Sequence, residues 1–431
     1  MVKRTVTMAL AFVGLLVGAG FATGQEVIQY FISFGYAGLI GVVVASVIMI
    51  FAGAVIFQLG SYFLAPDHNT VFRNVTHPIV SKFLDVTTVL TLFAIGFVML
   101  AGAGSNLEQQ FGWDTWIGAV LMTALVLITG FLNVEKVTNV ISAITPLIIV
   151  AILVALIITL FNLPEDFSTL NAAALELEPA LPHWLLSAVN YTAMALMLGV
   201  SMILVIGGNE SSTKAAFRGG LLGGVIFSLM LLALALVVFL NVEEVGALDL
   251  PLLGVFDAMH PAVGFVVSWI IYAMIYNTAI GMFYALAKRL TVNRPEKFRL
   301  VFVAVTLAGF VVSFLGFSNL LGWVYPVIGY VGMVMIAAMV VAWFKGQRLL
   351  KKEEKVRDRL TDLAEEKLDP ATGDLSDGQV EEVKQLAKES RVDGKELWVS
   401  IQKDVASDLE LDDAEDADGT DQRPEAGSTR V

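Results

Sequence analysis

From its first residues to about Trp343 the chain is a succession of apolar runs, each long enough to cross the hydrocarbon core of a bilayer as a helix, which takes about 20 apolar residues. No soluble fold is compatible with that pattern. Hydrophobic residues make up 57% of the chain and charged residues 16%, against roughly 45 to 50% apolar in an average soluble domain, so there is too little polar surface to face water. The expected fold class is an all-α integral membrane protein. Ten transmembrane helices are predicted, over residues 6–34, 36–64, 79–104, 115–132, 139–161, 183–206, 217–241, 262–287, 298–316 and 320–344. Lys3 and Arg4 ahead of an apolar stretch also fit a cleaved signal peptide, but the stretch continues through Val27, Ile28, Tyr30, Phe31 and Phe34, so a first membrane helix is preferred.

Cytoplasmic loops concentrate Lys and Arg, which gives an independent test of the span count. With the N-terminus inside, Lys3, Arg4, Arg73, Lys82, Lys136, Lys214, Arg218, Lys288, Arg289, Arg294, Lys297, Arg299 and Lys345 all fall on the inner side, and the outer loops hold only acids, such as Glu108, Asp114, Glu165, Glu178, Asp249 and Asp257. A wrong count would scramble this segregation. The prediction is a multi-pass protein of the cell membrane with both termini cytoplasmic.

The apolar pattern stops at about residue 345, so the chain divides into a transmembrane domain, 1–345, and an acidic tail, 346–431. The tail holds 14 Lys and Arg against 24 Asp and Glu, and thus −10 of the total charge of −13. It is read as two helices, 347–368 and 376–402, separated by Asp369, Pro370 and Gly373, with disorder from Asp404 onward. A solvating extension is preferred for it over a regulatory one or one that binds a cytoplasmic protein partner. The acidity describes this appendage and not a substrate. There is no basic stripe to suggest nucleic acid, and with no cysteine there are no thiolate sites or disulfides. Two long outer connections, Asn162 to Pro182 and Asn241 to Pro261, each suit a short surface helix or lid; the second is amphipathic enough to lie over a vestibule, with an ordinary interfacial connector the equal alternative.

Non-helical backbone survives inside lipid only where protein or a water-filled cavity surrounds it, so interruptions of spans are informative. The first span carries Gly18, Gly20 and Gly24 near mid-membrane, and as one straight helix its 29 residues would reach about 44 Å against a core of about 30 Å. If residues 18–24 unwind, the carbonyl end near Val17 to Ala19 suits a cation such as Na⁺. The new N-terminus near Thr23 to Glu26 suits a carboxylate. The competing reading, that these glycines only permit close helix packing, does not explain the adjoining Thr23, Gln25 and Glu26. Glu26 is the most conspicuous ionisable group in the membrane, and such groups usually face a cavity and mark ion or solute paths. It fits a coupling proton or a substrate amine, unless it lies at the outer interface or merely caps a half-helix.

Elsewhere, the sixth span holds Asn190, Tyr191, Thr192 and Gly199, and is the natural partner of the first if two five-helix units form an inverted repeat. The eighth holds Asn277 and Thr278, whose oxygens are hard ligands suited to Na⁺, although Thr residues also bond back to their own helix. Thr87, Thr88 and Thr91 are candidates to line a cavity, and Trp323, Tyr325 and Pro326 to gate it. The histidines His68, His77, His183 and His260 lie in loops or at span edges without metal-ligand spacing.

The segment Val17-Gly18-Ala19-Gly20-Phe21-Ala22-Thr23-Gly24-Gln25-Glu26 resembles the opening signature of YkvI-like bacterial membrane proteins, which are related to the amino acid, polyamine and organocation transporter superfamily. The resemblance covers roughly residues 5–345 and implies a five-plus-five inverted-repeat transporter fold with helices 1 and 6 broken at a central site. Carried over, Gly18 to Gly24 match the unwound segment, Gly199 its counterpart, and Asn277 with Thr278 the cation-facing part of the eighth span. The expected function is secondary active transport, by alternating access, of a small organic solute, amino-acid-like, coupled to Na⁺ or H⁺, with no other cofactor. Substrate contacts are expected from Gly20, Phe21, Thr23, Gly24, Gln25, Glu26, Asn190 and Gly199, and ion contacts from Gly18, Ala19, Asn277 and Thr278. The alternative is a membrane sensor or scaffold with a signalling tail; an enzyme is disfavoured.

Overall fold

The computed structural model describes residues 2–131, 145–164, 166–369 and 374–409, and among these the secondary structure is helical, with no strand. Lys136, Glu165, the start of the fifth predicted span and the stretch beyond residue 409 lie outside the described residues.

The first predicted span is three short helices in line, α1 (Val2–Leu16), α2 (Ala19–Thr23) and α3 (Gln25–Tyr30). The second is α4 (Tyr36–Tyr62), joined through α5 (His68–Val75) to the third, α6 (Pro78–Phe111). Then follow α7 (Thr115–Gly130), α8 (Thr145–Phe161), the connector helix α9 (Phe167–Leu175), α10 (Trp184–Gly208) and α11 (Thr213–Leu240). The second long connector forms α12 (Val242–Val245) and α13 (Pro251–Met259), and spans eight to ten are α14 (Pro261–Leu290), α15 (Phe298–Ser313) and α16 (Phe317–Leu368). Six of these helices, α4, α6, α10, α11, α14 and α16, are long and apolar enough on their own to cross a membrane, and α7 and α8 are shorter apolar helices. The chain is a multi-pass membrane protein, and its ten predicted spans each coincide with helix.

Two groups of helices form. α1, α4, α10 and α11 pack on one another, while α6, α7, α14 and α15 make a second set, with α16 lying against α10, α6 and α4. Small residues let the first set approach closely. Side chains at Gly220 and Gly224 of α11 would collide with the backbone of α4 at Ala54 and Ile50, and one at Gly207 of α10 with the carbonyl of Phe57. The broken first span runs between the two sets, with α2 touching α14 and α3 touching α16.

The α5 connector carries a histidine that sequence reading treats as an ordinary loop residue. His68 is buried, its Nδ1 is 2.9 Å from the Ser201 hydroxyl of α10, and its ring lies 5.3 Å from that of Phe72. Burial, reinforced by the nearby Arg289 guanidinium and opposed by Asp67, pushes its pKa down to about 4. The folded protein therefore favours neutral His68, and its contribution to stability is complete above about pH 6.5 and is lost as pH falls toward 4. At pH 5 the loss is on the order of 2 kcal/mol. Melting of the detergent-solubilised protein between pH 7.5 and 5 should show that difference between wild type and His68→Phe; parallel curves would remove His68 from the acid sensitivity.

The tail departs from its predicted form. α16 runs 52 residues from Phe317 to Leu368 without interruption at residue 346, so its second half projects past the membrane. The second tail helix is two, α17 (Asp377–Glu389) and α18 (Gly394–Asp408), and α18 continues through Asp404, where disorder was expected to begin. α18 packs on α16 by burying Leu397, Ile401 and Val405 against Val356, Leu360 and Ala364, with Leu64 of the α4–α5 connection on the same cluster. Residues 346–369 and 374–409 are thus a docked structure and not a solvating extension.

Candidate functional site

The helical ladder of α1 ends with the Val17 N–H on the Val13 carbonyl, and Gly18, in extended conformation at φ −97° and ψ −168°, donates only to Leu16. The ladder resumes with Ala22 on Gly18, and stops again at Gly24, whose φ of 80° is a left-handed conformation that glycine adopts without strain. The predicted unwinding of residues 18–24 is therefore two breaks around one intact turn, α2. The reason lies in Thr23, whose hydroxyl donates to the Gly20 carbonyl at 2.8 Å and accepts from the Gln25 N–H at 3.3 Å, stitching the turn closed.

The two breaks put successive side chains of α3 on different neighbours. Glu26, 6% exposed, turns back over α2, so that a Cβ added at Gly20 would overlap its carboxylate, and it accepts a hydrogen bond from the Tyr325 hydroxyl of α16. One turn on, the Tyr30 hydroxyl donates to Oδ1 of Asn190 at 3.2 Å, and Nδ2 of Asn190 donates to the Pro326 carbonyl at 3.0 Å. Asn190 is fully buried against Gly329, which leaves it room, and Ser187 of the same helix donates to the Tyr30 carbonyl at 2.7 Å. Together these form a buried polar knot of α3, α10 and α16 around a carboxylate. Among the described residues of the spans, Glu26 is the one ionisable Asp, Glu, Lys, Arg or His buried within the membrane part.

On the other side of α3, Gln25 and Gln29 line a cleft of about 510 Å³ with Glu178, Asp249, Ser318 and Trp323. Gln25 Nε2 donates to the Ser318 hydroxyl at 3.0 Å, Ser318 donates to Asp249 at 2.5 Å, and Ser105 of α6 donates to the other oxygen of Asp249 at 2.6 Å. Glu26 is not among the lining residues, so in this conformation the cleft ends one residue short of the buried carboxylate. Of the two readings of the second connector, a cover over a vestibule or an ordinary interfacial connector, its packing on the first span fits the cover. α13 lies over Gly24, where an added Cβ would sit 3.2 Å from the Leu252 nitrogen, and Gln109 clamps it by exchanging two hydrogen bonds with the Leu250 backbone at 2.9 and 3.0 Å.

Of the residues expected at the ion site, Thr278 faces the first break, its hydroxyl 3.8 Å from where a Cβ on Gly18 would be. That hydroxyl also donates back to the Met274 carbonyl at 3.1 Å, and Oδ1 of the neighbouring Asn277 is buried with no partner among the described residues. Ala19 is buried at the same break. Three expectations are corrected. Helix 6 is not broken: α10 runs continuously through Gly199, because one isolated glycine weakens a helix by only about 1 kcal/mol. Gly199 instead makes room for Leu15 and Leu16 at the end of α1. Phe21 points into the core against the Phe227 ring at 5.4 Å. A carboxylate site at the α3 N-terminus loses its basis, since the first turn of that six-residue helix carries Glu26. Thr87 and Thr88 bond back to their own helix, at Phe83 and Leu84. The Asp249–Ser318–Ser105 cluster was missed; its only mark in the sequence is Asp249, one of four acids in the second connector.

No protein-family model matches the chain. Two proteins of Bacillus subtilis (strain 168) resemble it: the uncharacterized membrane protein YkvI, 28% identical over 333 residues, which are 77% of this chain and 94% of YkvI, and the uncharacterized protein YyaD, 21% identical over 334 residues, 77% of this chain and 95% of YyaD. The likeness read from the glycine-rich segment is thereby borne out. Among solved structures, the inward-facing conformation of Mhp1 superposes with a TM-score of 0.50 at 12% identity, covering 94% of this chain and 89% of that one. Mhp1 is described, in a closed form with a bound hydantoin that superposes at 0.49 and 11% identity over 94% and 92% of the two chains, as a nucleobase-cation-symport-1 family transporter. The arrangement of helices is that of an inverted-repeat transporter fold.

Proposed function

We propose that this protein is a secondary active transporter that moves a small, amino-acid-like organic solute across the cell membrane by alternating access, coupled to Na⁺ or H⁺, with both termini in the cytoplasm. The observation that carries the proposal is the double break of the first span beside Glu26. Interrupted helix inside a bilayer is tolerated where it lines a binding cavity, and a lone buried carboxylate there calls for a positive partner. A protonated substrate amine supplies one, and so does a coupling proton. The fold shared with Mhp1 supports the reading, and Thr278 facing Gly18 supports a cation at the first break. Each charge entering down a potential of 100 mV supplies about 2.3 kcal/mol, enough to drive accumulation without a nucleotide.

The test is uptake by proteoliposomes of a panel of labelled amino acids and related amines under imposed Na⁺ or H⁺ gradients. At least one solute is expected to accumulate under one of the two gradients and not under the other. The docked tail favours a second reading, a membrane sensor, and this predicts ligand binding with no flux under either gradient; that result would end the transporter proposal.

A further inference from the structure

The tail meets the N-terminal part of the first span at Arg4. α1 is a half-helix severed from the rest of its span at Gly18, and its far end carries Arg4. The Arg4 guanidinium meets three carboxylates: Glu210 of the α10–α11 connection at 2.7 Å, and Asp404 and Asp408 of α18 at 2.7 and 2.8 Å. Asp404 is held in turn by the backbone and hydroxyl of Ser211, at 2.9 and 2.5 Å.

The tail itself is fastened to the first helix set independently of α1. Arg357 of α16, buried, pairs with Glu353 at 2.9 Å and donates to the carbonyls of Ser61, Tyr62 and Ser211 at 2.9 to 3.0 Å. Glu353 accepts from the Ser390 hydroxyl at 2.6 Å and the Arg391 N–H at 3.0 Å, which ties in the α17–α18 turn. Lys214 of α11 pairs with Asp358 at 2.5 Å. A rigid tail thus holds two aspartates over the end of a hinged helix.

We infer that α18 is a built-in latch: Asp404 and Asp408, gripping Arg4, hold α1 against the α10–α11 connection and keep this face of the central site closed until the grip is released. The inference rests on the transporter reading for its consequence, and on the geometry alone for the clamp. Two features fit a device added for control. YkvI is 94% accounted for by a 333-residue alignment, about the length of the ten-span part of this chain, so it has no extension as long as this tail. And three acids converge on one arginine where one would suffice for an ion pair. Burial and the neighbouring Asp404 push Glu210 up to about 7 against the pull of Arg4, a sign of how crowded with negative charge the grip is.

The chain has no cysteine, so a single reporter gives a clean signal. Val13 on α1 is 2% exposed and packs inside. In full-length Val13→Cys protein, labelling by a water-soluble maleimide is expected to be slow, and to accelerate at least about tenfold when Asp404→Asn and Asp408→Asn are combined or when Arg4→Gln is introduced, whereas Arg4→Lys, which keeps the charge, stays slow. Uptake by the released variants in proteoliposomes should rise several-fold. Acceleration of labelling with no uptake of any solute by any variant keeps the latch and ends the transporter reading. Equal labelling rates across the full-length protein, the double variant and Arg4→Gln overturn the latch, as does fast labelling in the unmodified tail background.

Discussion

Replacing Glu26 by Gln is expected to reduce gradient-driven uptake by about 100-fold or more while leaving the protein as stable as wild type, or more so. The substitution keeps the shape of the side chain and its capacity to hydrogen bond with Tyr325, and removes only the ionisable oxygen. A carboxylate in mid-bilayer costs on the order of 2.5 to 3.5 kcal/mol on insertion scales, so a neutral amide relieves the fold of that burden and any loss falls on function. The two roles proposed for Glu26 separate in the same experiment. If it carries the coupling proton, the Gln variant still exchanges labelled for unlabelled solute across the membrane and fails only to accumulate it. If it binds a substrate amine, exchange and accumulation fall together. Wild-type uptake by Glu26→Gln would remove the carboxylate from the mechanism altogether.

How far the sequence announces this site depends on whether the governing interaction is local. The break of the first span is legible because its cause sits in consecutive residues: three glycines, a threonine that stitches the turn, and a span too long to be one straight helix. The span count is legible because lipid demands a fixed length and because basic loops fall on one side. Gly199 misleads for the same reason that it attracts notice. A lone glycine in a helix is equally a weak point and a space, and which it is depends on Leu15 and Leu16 arriving from α1. Asp249 acquires its meaning only from Ser105 and Ser318, each distant in sequence. His68 likewise is given its environment by Ser201 of α10. The tail is misread because its composition is acidic and its apolar stripe is narrow. Leu397, Ile401 and Val405 at helical spacing are enough to dock α18, provided that α16 continues as a rigid strut to meet them.

Gly20 offers the sharpest separation of packing from function, because the bland reading of the glycines and the mechanistic one predict opposite results there. In a helical turn alanine is favoured over glycine by about 1 kcal/mol, so if Gly20 served only the backbone, Gly20→Ala would be neutral or stabilising and transport would persist. An added Cβ would instead occupy the place of the Glu26 carboxylate and come within 3.2 Å of the Tyr325 hydroxyl. The atoms it displaces are the far end of a flexible side chain, so the fold can absorb the change by swinging Glu26 aside, away from Tyr325. The expected result is a melting temperature close to wild type with uptake reduced about tenfold or more, the signature of a misplaced group in a preformed site. Gly14→Ala is the matched control. It lies within α1, away from both breaks, and a Cβ there meets nothing within 4 Å, so uptake should change by less than about threefold. Equal uptake by both variants would mean that the space over α2 is not reserved for the carboxylate, and that Glu26 is buried there for some reason other than binding.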